Sequence, residues 1–260
     1  MIRVGVFGAA GRMGATVCQA VLDDPELELV AAVDPMHAGL DLRQCGIDAS
    51  LQMARHAGAL ADAGAEVAVD FTVVDAAREN IAWCADNGVH AVVGTTGFSS
   101  ADIDDFRTRF EASSANAVIA ANFAIGAVLM VRFAELAAPW FETAEVIELH
   151  HDGKVDAPSG TALATARVIQ DARAGAWSAP DAIGADPAAR GADIGGVRVH
   201  AVRLPGLVAH EEVLFGGPGE VLTIRHDALD RTAFMPGVLL AVRSVAARPG
   251  LTVGLDALLD

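Results

Sequence analysis

The chain predicts an α/β fold, a parallel sheet with crossover helices followed by a mixed-sheet α+β part. Three observations point to it. A short apolar strand opens the chain and runs directly into a glycine-rich turn and an amphipathic helix. Strand-like and helix-like runs then alternate to about residue 121, the pattern of parallel strands joined by helices. Beyond about residue 125 the strand-like runs lie close together, with one helix between them, which predicts antiparallel or mixed pairing.

Taken in order, residues 2–7 read as a buried strand and the amphipathic run to about 24 as the first helix. Further strands are expected at 29–33, 67–71, 90–93 and 117–121, with helices at 76–87 and 101–112. The Ala-rich stretch 40–64 has no clear period and stays open. A helix is expected over 126–138, then strands at 144–149, 197–204, 207–215 and 220–226, with a helix at 160–173 and a Pro/Ala/Gly-rich loop at about 175–196. The last helix, 232–247, stops at Arg248-Pro249-Gly250.

Composition narrows the class. The 260 residues are 53% hydrophobic and 20% charged, enough for a sizeable core. A formal net charge of −16 without any Lys/Arg-rich run argues against nucleic acid or an anionic membrane as partner. Cys18, Cys45 and Cys84 are odd in number and widely spaced, so they read as core filler in a reducing compartment, the cytoplasm. No apolar run reaches transmembrane length. Gly5, Gly8, Gly11 and Gly14 break the N-terminal apolar stretch, so it reads as fold rather than signal peptide.

The turn after the first strand is Gly8-Ala9-Ala10-Gly11-Arg12-Met13-Gly14, and Asp34 closes the next strand about 20 residues on. Glycines allow the chain to approach a pyrophosphate, the following helix start offers free N–H groups, and the acid meets ribose hydroxyls. The motif is one residue longer than the common form, and its position makes the first part Rossmann-like. Asp34 favours NADH, while Arg12 can pair with a 2′-phosphate, so use of either NADH or NADPH is expected. Phe71 follows the third strand, Gly94-Thr95-Thr96-Gly97 the fourth, and Ala120-Ala121-Asn122-Phe123 ends the fifth. These are the carboxyl ends where such sheets bind ligands.

The most informative run lies at 148–162, with His150, His151, Lys154 and a Pro158-Ser159-Gly160-Thr161 turn opening a helix. Neighbouring strand residues face opposite ways, so the two histidines share a site only if the strand ends there, as Asp152-Gly153 suggests. Ser159, Gly160 and Thr161 at a helix start would add carboxylate-capturing N–H groups. Together these residues describe a pocket for a small polyanion. An exposed loop remains the bland alternative, and adjacent histidines are poor spacing for a metal, so none is expected. Other readings are a different Rossmann oxidoreductase and a dinucleotide sensor without turnover.

On these residues the chain resembles the 4-hydroxy-tetrahydrodipicolinate reductase family. The likeness rests on Val-Gly-Val-Phe-Gly-Ala-Ala-Gly-Arg-Met-Gly, Val-Val-Gly-Thr-Thr-Gly-Phe, Ala-Asn-Phe-Ala-Ile-Gly-Ala and, above all, Glu-Leu-His-His-x-x-Lys-x-Asp-Ala-Pro-Ser-Gly-Thr-Ala. It extends to the final Gly-Leu-Asp-Ala-Leu-Leu, and departs at Asp152-Gly153, where the family often has Pro, Arg or His. The resemblance implies a dinucleotide-binding domain over 1–124, completed by 232–260, and a mixed-sheet domain over 125–231 that binds substrate and builds a homotetramer. It implies NAD(P)H-dependent reduction of a small dicarboxylate, with loss of water, on the route to lysine and diaminopimelate. By this likeness His150 matches a proton donor/acceptor, Lys154 a proton donor, His151 a substrate contact, and Gly160 with Thr161 the substrate-carboxylate site. The residues from Gly8 to Met13, Asp34, Gly94 to Thr96, and Ala120 to Phe123 match cofactor positions.

Overall fold

A computed structural model describes residues 1–173 and 187–259. The chain divides into two units, Met1–Phe123 with Phe234–Asp260, and Ala124–Ala233. The first unit begins as the alternation predicts, with β1 (Ile2–Phe7), α1 (Arg12–Asp23) and β2 (Leu27–Val33). The stretch left open, 40–64, folds as a 3-10 turn at Leu42–Cys45 and the short helix α2 (Gly58–Asp62). A single parallel bridge, Val33 to Ala54, ties it to the end of β2. So little regular structure leaves no period to read.

β3 (Val67–Asp70), α3 (Val74–Asn87), β4 (His90–Val93), α4 (Ser100–Ala112) and β5 (Ala117–Ile119) follow. Local chemistry sets these ends. Ser99 and Asp102 form a reciprocal capping box at the start of α4, the kind of cap worth about 1 kcal/mol. Ile81 of α3 and Phe106 and Phe110 of α4 pack on Phe7, Ala68 and Val93 of the sheet, and burying each such side chain contributes roughly 2 kcal/mol. Cys18 and Cys84 are core filler as expected, whereas Cys45 is half-buried in the 3-10 turn.

The second unit holds α5 (Ile125–Ala137), β6 (Thr143–His150), α6 (Gly160–Ala172), β7 (Ala192–Ile194), β8 (Val197–Arg203), β9 (Ala209–Gly217) and β10 (Glu220–Ala228). Its sheet runs β10-β9-β6-β8-β7, parallel only between β6 and β8, which is the mixed pairing expected. Of the predicted loop 175–196, residues up to 186 lie outside the described residues, and the remainder contains β7, too short to stand out in sequence. Alternation along β6 and β9 sends Ala144, Val146, Val213 and Phe215 to one face, against Met130 of α5 and Ala162, Ala166 and Ile169 of α6. Ile147, Leu149, Val202 and Leu214 fall on the other face, the one that α5 and α6 leave uncovered.

The chain then returns to the first unit with α7 (Met235–Ser244) and β11 (Leu251–Val253). The helical stretch expected over 232–247 is α-helical only in its middle, with 3-10 turns at Arg231–Phe234 and Val245–Ala247. β11, three residues long, was not foreseen. Asn116 places it: its amide donates to Val245 and Ala246 carbonyls and accepts from the Gly250 N–H. The completed sheet is wholly parallel, in the order β11-β5-β4-β3-β1-β2. Among the described residues no helix is long and apolar enough to cross a membrane.

Candidate functional site

In the first unit a cleft of about 680 Å³ opens at the carboxyl ends of β1, β2 and β3. The sheet order reverses at β1, between β2 and β3, so this is the switch point where parallel sheets take ligands. Gly8 and Gly11 form its floor, and α1 starts at Gly11 with no side-chain cap, so its first N–H groups are left for a ligand. A Cβ at Gly14 would lie 2.0 Å from the Gly8 carbonyl oxygen, so only glycine lets the helix pack this close to the turn. Ala9 is buried, and the N–H of Ala10 donates to Asp34 Oδ2 at 3.2 Å. Arg12 and Met13 open α1.

Asp34 Oδ1 accepts from the Met36 N–H at 3.1 Å and pairs with His37 Nδ1 at 3.0 Å. The Val33–Ala54 bridge brings Arg55 and His56 to the same wall of the cleft. Sequence reading missed both, because they lie in the stretch without a period. Phe71 also lines the cleft, together with Thr72 and Trp83.

Gly94, Thr95, Thr96 and Ala120 to Phe123 do not line this cleft, but Gly94, Thr95, Ala120 and Phe123 are tied to the neighbouring strand ends. Phe71 packs against buried Phe123 with ring centres 5.6 Å apart, and a Cβ at Gly94 would strike the Phe71 ring at 2.0 Å. Thr95 Oγ1 donates to the Thr72 carbonyl at 2.9 Å, and the Ala120 N–H donates to the Val93 carbonyl. Asp70, buried at the end of β3, accepts from the Thr72 N–H and hydroxyl at 2.7 Å and from Asn80 Nδ2 at 2.7 Å. It braces the loop under Phe71. An acid ending an apolar strand was the available signal.

In the second unit the run 148–161 folds as strand end, turn and helix start. His150 is the last residue of β6, and the Lys154 N–H donates to the His151 carbonyl at 3.1 Å, closing the turn at Asp152-Gly153. Lys154 Nζ pairs with Asp156 Oδ1 at 2.8 Å, and this hydrogen bond holds the Asp156 carboxyl below its ordinary range. Ser159 caps α6 by accepting from the Ala162 N–H at 3.1 Å, so the N–H groups of Gly160 and Thr161 remain at the helix start without an intrahelical partner. His150, Lys154 and the α6 start thus belong to one short segment of one unit, with His151 half-buried at the turn.

Glu148 and Arg203 went unread. The Glu148 carboxylate is wholly buried and accepts from Arg203 Nη1 and Nη2 at 2.7 and 2.8 Å, from His150 Nδ1 at 2.6 Å and from the Ser159 N–H at 2.9 Å. Burial works to raise this carboxyl, but Arg203, His150 and the Ser159 N–H together hold it below the ordinary carboxylate range. Burial lowers His150, against the pull of Glu148. Across the sheet Glu211 is also buried, which pushes it up to about 7, and Thr165 Oγ1 donates to it at 2.5 Å.

Comparison with known proteins covers the whole chain. The family model for the dihydrodipicolinate reductase N-terminus matches residues 2–123, and that for the C-terminus matches 126–259. A 4-hydroxy-tetrahydrodipicolinate reductase from Nocardia farcinica is 54% identical over 100% of this chain and 99% of its own. One from Mycobacterium marinum is 51% identical over the same shares. Among solved structures, a dipicolinate-bound dihydrodipicolinate reductase from Paenisporosarcina sp. TG-14 superposes with a TM-score of 0.86 at 37% identity, covering 99% of each chain.

Proposed function

The chain belongs to the dihydrodipicolinate reductase family, and on that membership we propose that it reduces 4-hydroxy-tetrahydrodipicolinate to tetrahydrodipicolinate with loss of water, in lysine and diaminopimelate biosynthesis. The observation that carries the reading is the segment 148–161, where one short stretch carries a histidine at the strand end, a lysine closing the turn and an open helix start.

The cleft residues fit a nicotinamide dinucleotide: an uncapped helix start for the pyrophosphate, close backbone approach at Gly14, and a strand-end acid at Asp34. The bound nucleotide supplies a hydride. The proton that completes the reaction leaves with the substrate hydroxyl as water, and this chain's residues must deliver it. Lys154 holds a substrate carboxylate or gives a proton, and the N–H groups of Gly160 and Thr161 hold the other carboxylate. His151 contacts the substrate. His150 exchanges a proton at Nε2, since Nδ1 is engaged by Glu148. For the nucleotide we infer use of both NADH and NADPH: Asp34 would accept from ribose hydroxyls, while Arg55, which lines the cleft with it, and Arg12, at the start of α1, would answer a 2′-phosphate. We also infer a cytoplasmic homotetramer, assembled through the uncovered face that bears Ile147, Leu149, Val202 and Leu214.

The test is a coupled assay in which the preceding synthase makes substrate in situ and NADH and NADPH are tried separately. Substrate-dependent oxidation with either nucleotide is expected. Lys154→Ala should lower kcat by about 100-fold or more while nucleotide binding persists. No oxidation by folded protein that still binds NADH would sink the substrate assignment.

A further inference from the structure

We propose that Glu148 is a positioning residue of this site: one buried carboxylate fixes the His150 ring by Nδ1, leaving Nε2 for proton exchange, and pins the start of α6 with its other oxygen. The proposal rests on the reading of His150 as a proton-exchanging group. Glu148 and His150 are two apart on β6, so both stand on the face that α6 covers. Oε2 accepts from His150 Nδ1 and Arg203 Nη1, and Oε1 from the Ser159 N–H and Arg203 Nη2. A carboxylate has about four acceptor sites, and here four donors fill them. Arg203 Nη2 also donates to the Asp156 carbonyl at 2.6 Å, which extends the grip into the loop that bears Lys154.

An ionised carboxylate only accepts hydrogen bonds, so the ring nitrogen facing it carries hydrogen. His150 is thereby held in its Nδ1–H form, with Nε2 as its only exchangeable position; among the described residues Nε2 has no partner. The charges around the ring come from several elements. Arg203 stands on β8, Lys154 and Asp156 on the loop, and Glu211 is the cross-strand partner of Glu148 on β9, with His226 of β10 beyond it. Lys154 and Arg203 disfavour a charged ring, while Glu148 favours one. A buried ion pair is a poor device for stability, because desolvation offsets its attraction. What the Glu148–Arg203 pair supplies is a fixed origin for both the ring and the helix start.

The experiment is a double-mutant cycle read at saturating substrate in the coupled assay. Glu148→Gln should lower kcat about 10- to 100-fold with nucleotide Kd unchanged. In a His150→Gln background the same substitution should change kcat by less than about 3-fold, because no ring is left to hold. Equal losses in both backgrounds would overturn the proposal, leaving Glu148 a merely structural group. So would a wild-type rate in Glu148→Gln when His150→Gln is slow. Full turnover in His150→Gln would instead remove the reading of the site itself, and the proposal with it. Should Glu148→Gln fail to fold with Arg203 unpaired, nitrogen-15 NMR of the unmutated protein decides. Neutral His150 is expected as the Nδ1–H tautomer, and the Nε2–H tautomer overturns the proposal.

Discussion

Glu211 shows what a single buried acid does to the whole pH response. Its folded pKa is raised from 4.5 to about 7 by burial, while Thr165 keeps it hydrogen-bonded. A raised carboxyl stabilises fully below its unfolded pKa, and that contribution is lost as pH climbs through the folded value. The loss is on the order of 3 kcal/mol between pH 4.5 and 7. Glu211→Gln, which mimics the protonated acid, should therefore raise the Tm relative to the parent at pH 8 and lose that advantage near pH 5; equal gains at both would disprove it. The residues proposed above to carry the chemistry were largely legible at this scale. His150, His151, Lys154, Ser159 and Asp34 announced themselves by type and spacing. Arg203 did not, because its tie to Glu148 depends on the parallel register of β6 and β8, 55 residues apart. Glu211 was hidden for the same reason, since β9 must lie antiparallel to β6 before the two acids face each other.

At the scale of elements, the start of α1 is the sharpest case. Gly14→Ala would set a Cβ 2.0 Å from the Gly8 oxygen and 2.7 Å from its carbonyl carbon, both backbone atoms that cannot swing aside. The helix must move off the turn, so NADH Kd should weaken tenfold or more, a loss of about 1.4 kcal/mol, with a lowered Tm. Fluorescence titration and thermal melting measure both, and unchanged binding would show that the turn tolerates the shift. The strands and helices with a clear period were foreseen within a few residues. Those that escaped were short or lacked period: α2 among alanines, and β7 and β11 at three residues each. β11 follows a Pro-Gly stop, and its place is set by pairing with β5 and by Asn116, far back in sequence.

At the scale of the molecule, the acidic balance of −16 coexists with cations gathered at one turn, where Lys154 and Arg203 stand with His150. Each is paired with an acid of the same unit, Lys154 with Asp156 and Arg203 with Glu148, so the dianion of the proposed reaction would have to be met by local groups against the global field. The homotetramer inferred above should sediment at about four times 26.7 kDa. Val202→Asp, on the uncovered sheet face, should yield a smaller species, and an unchanged mass would move the interface elsewhere. The split of fold classes along the chain was readable from the change in strand spacing near residue 125. That the first unit is written in two pieces, with α7 and β11 coming after the second unit, was implied by the family resemblance and not by spacing. That order matters during synthesis. The ribosome emits the 110-residue second unit complete before the strand that borders β5 exists. Until β11 leaves the exit tunnel, β5 is a naked sheet edge, and a nascent chain is a template for promiscuous pairing.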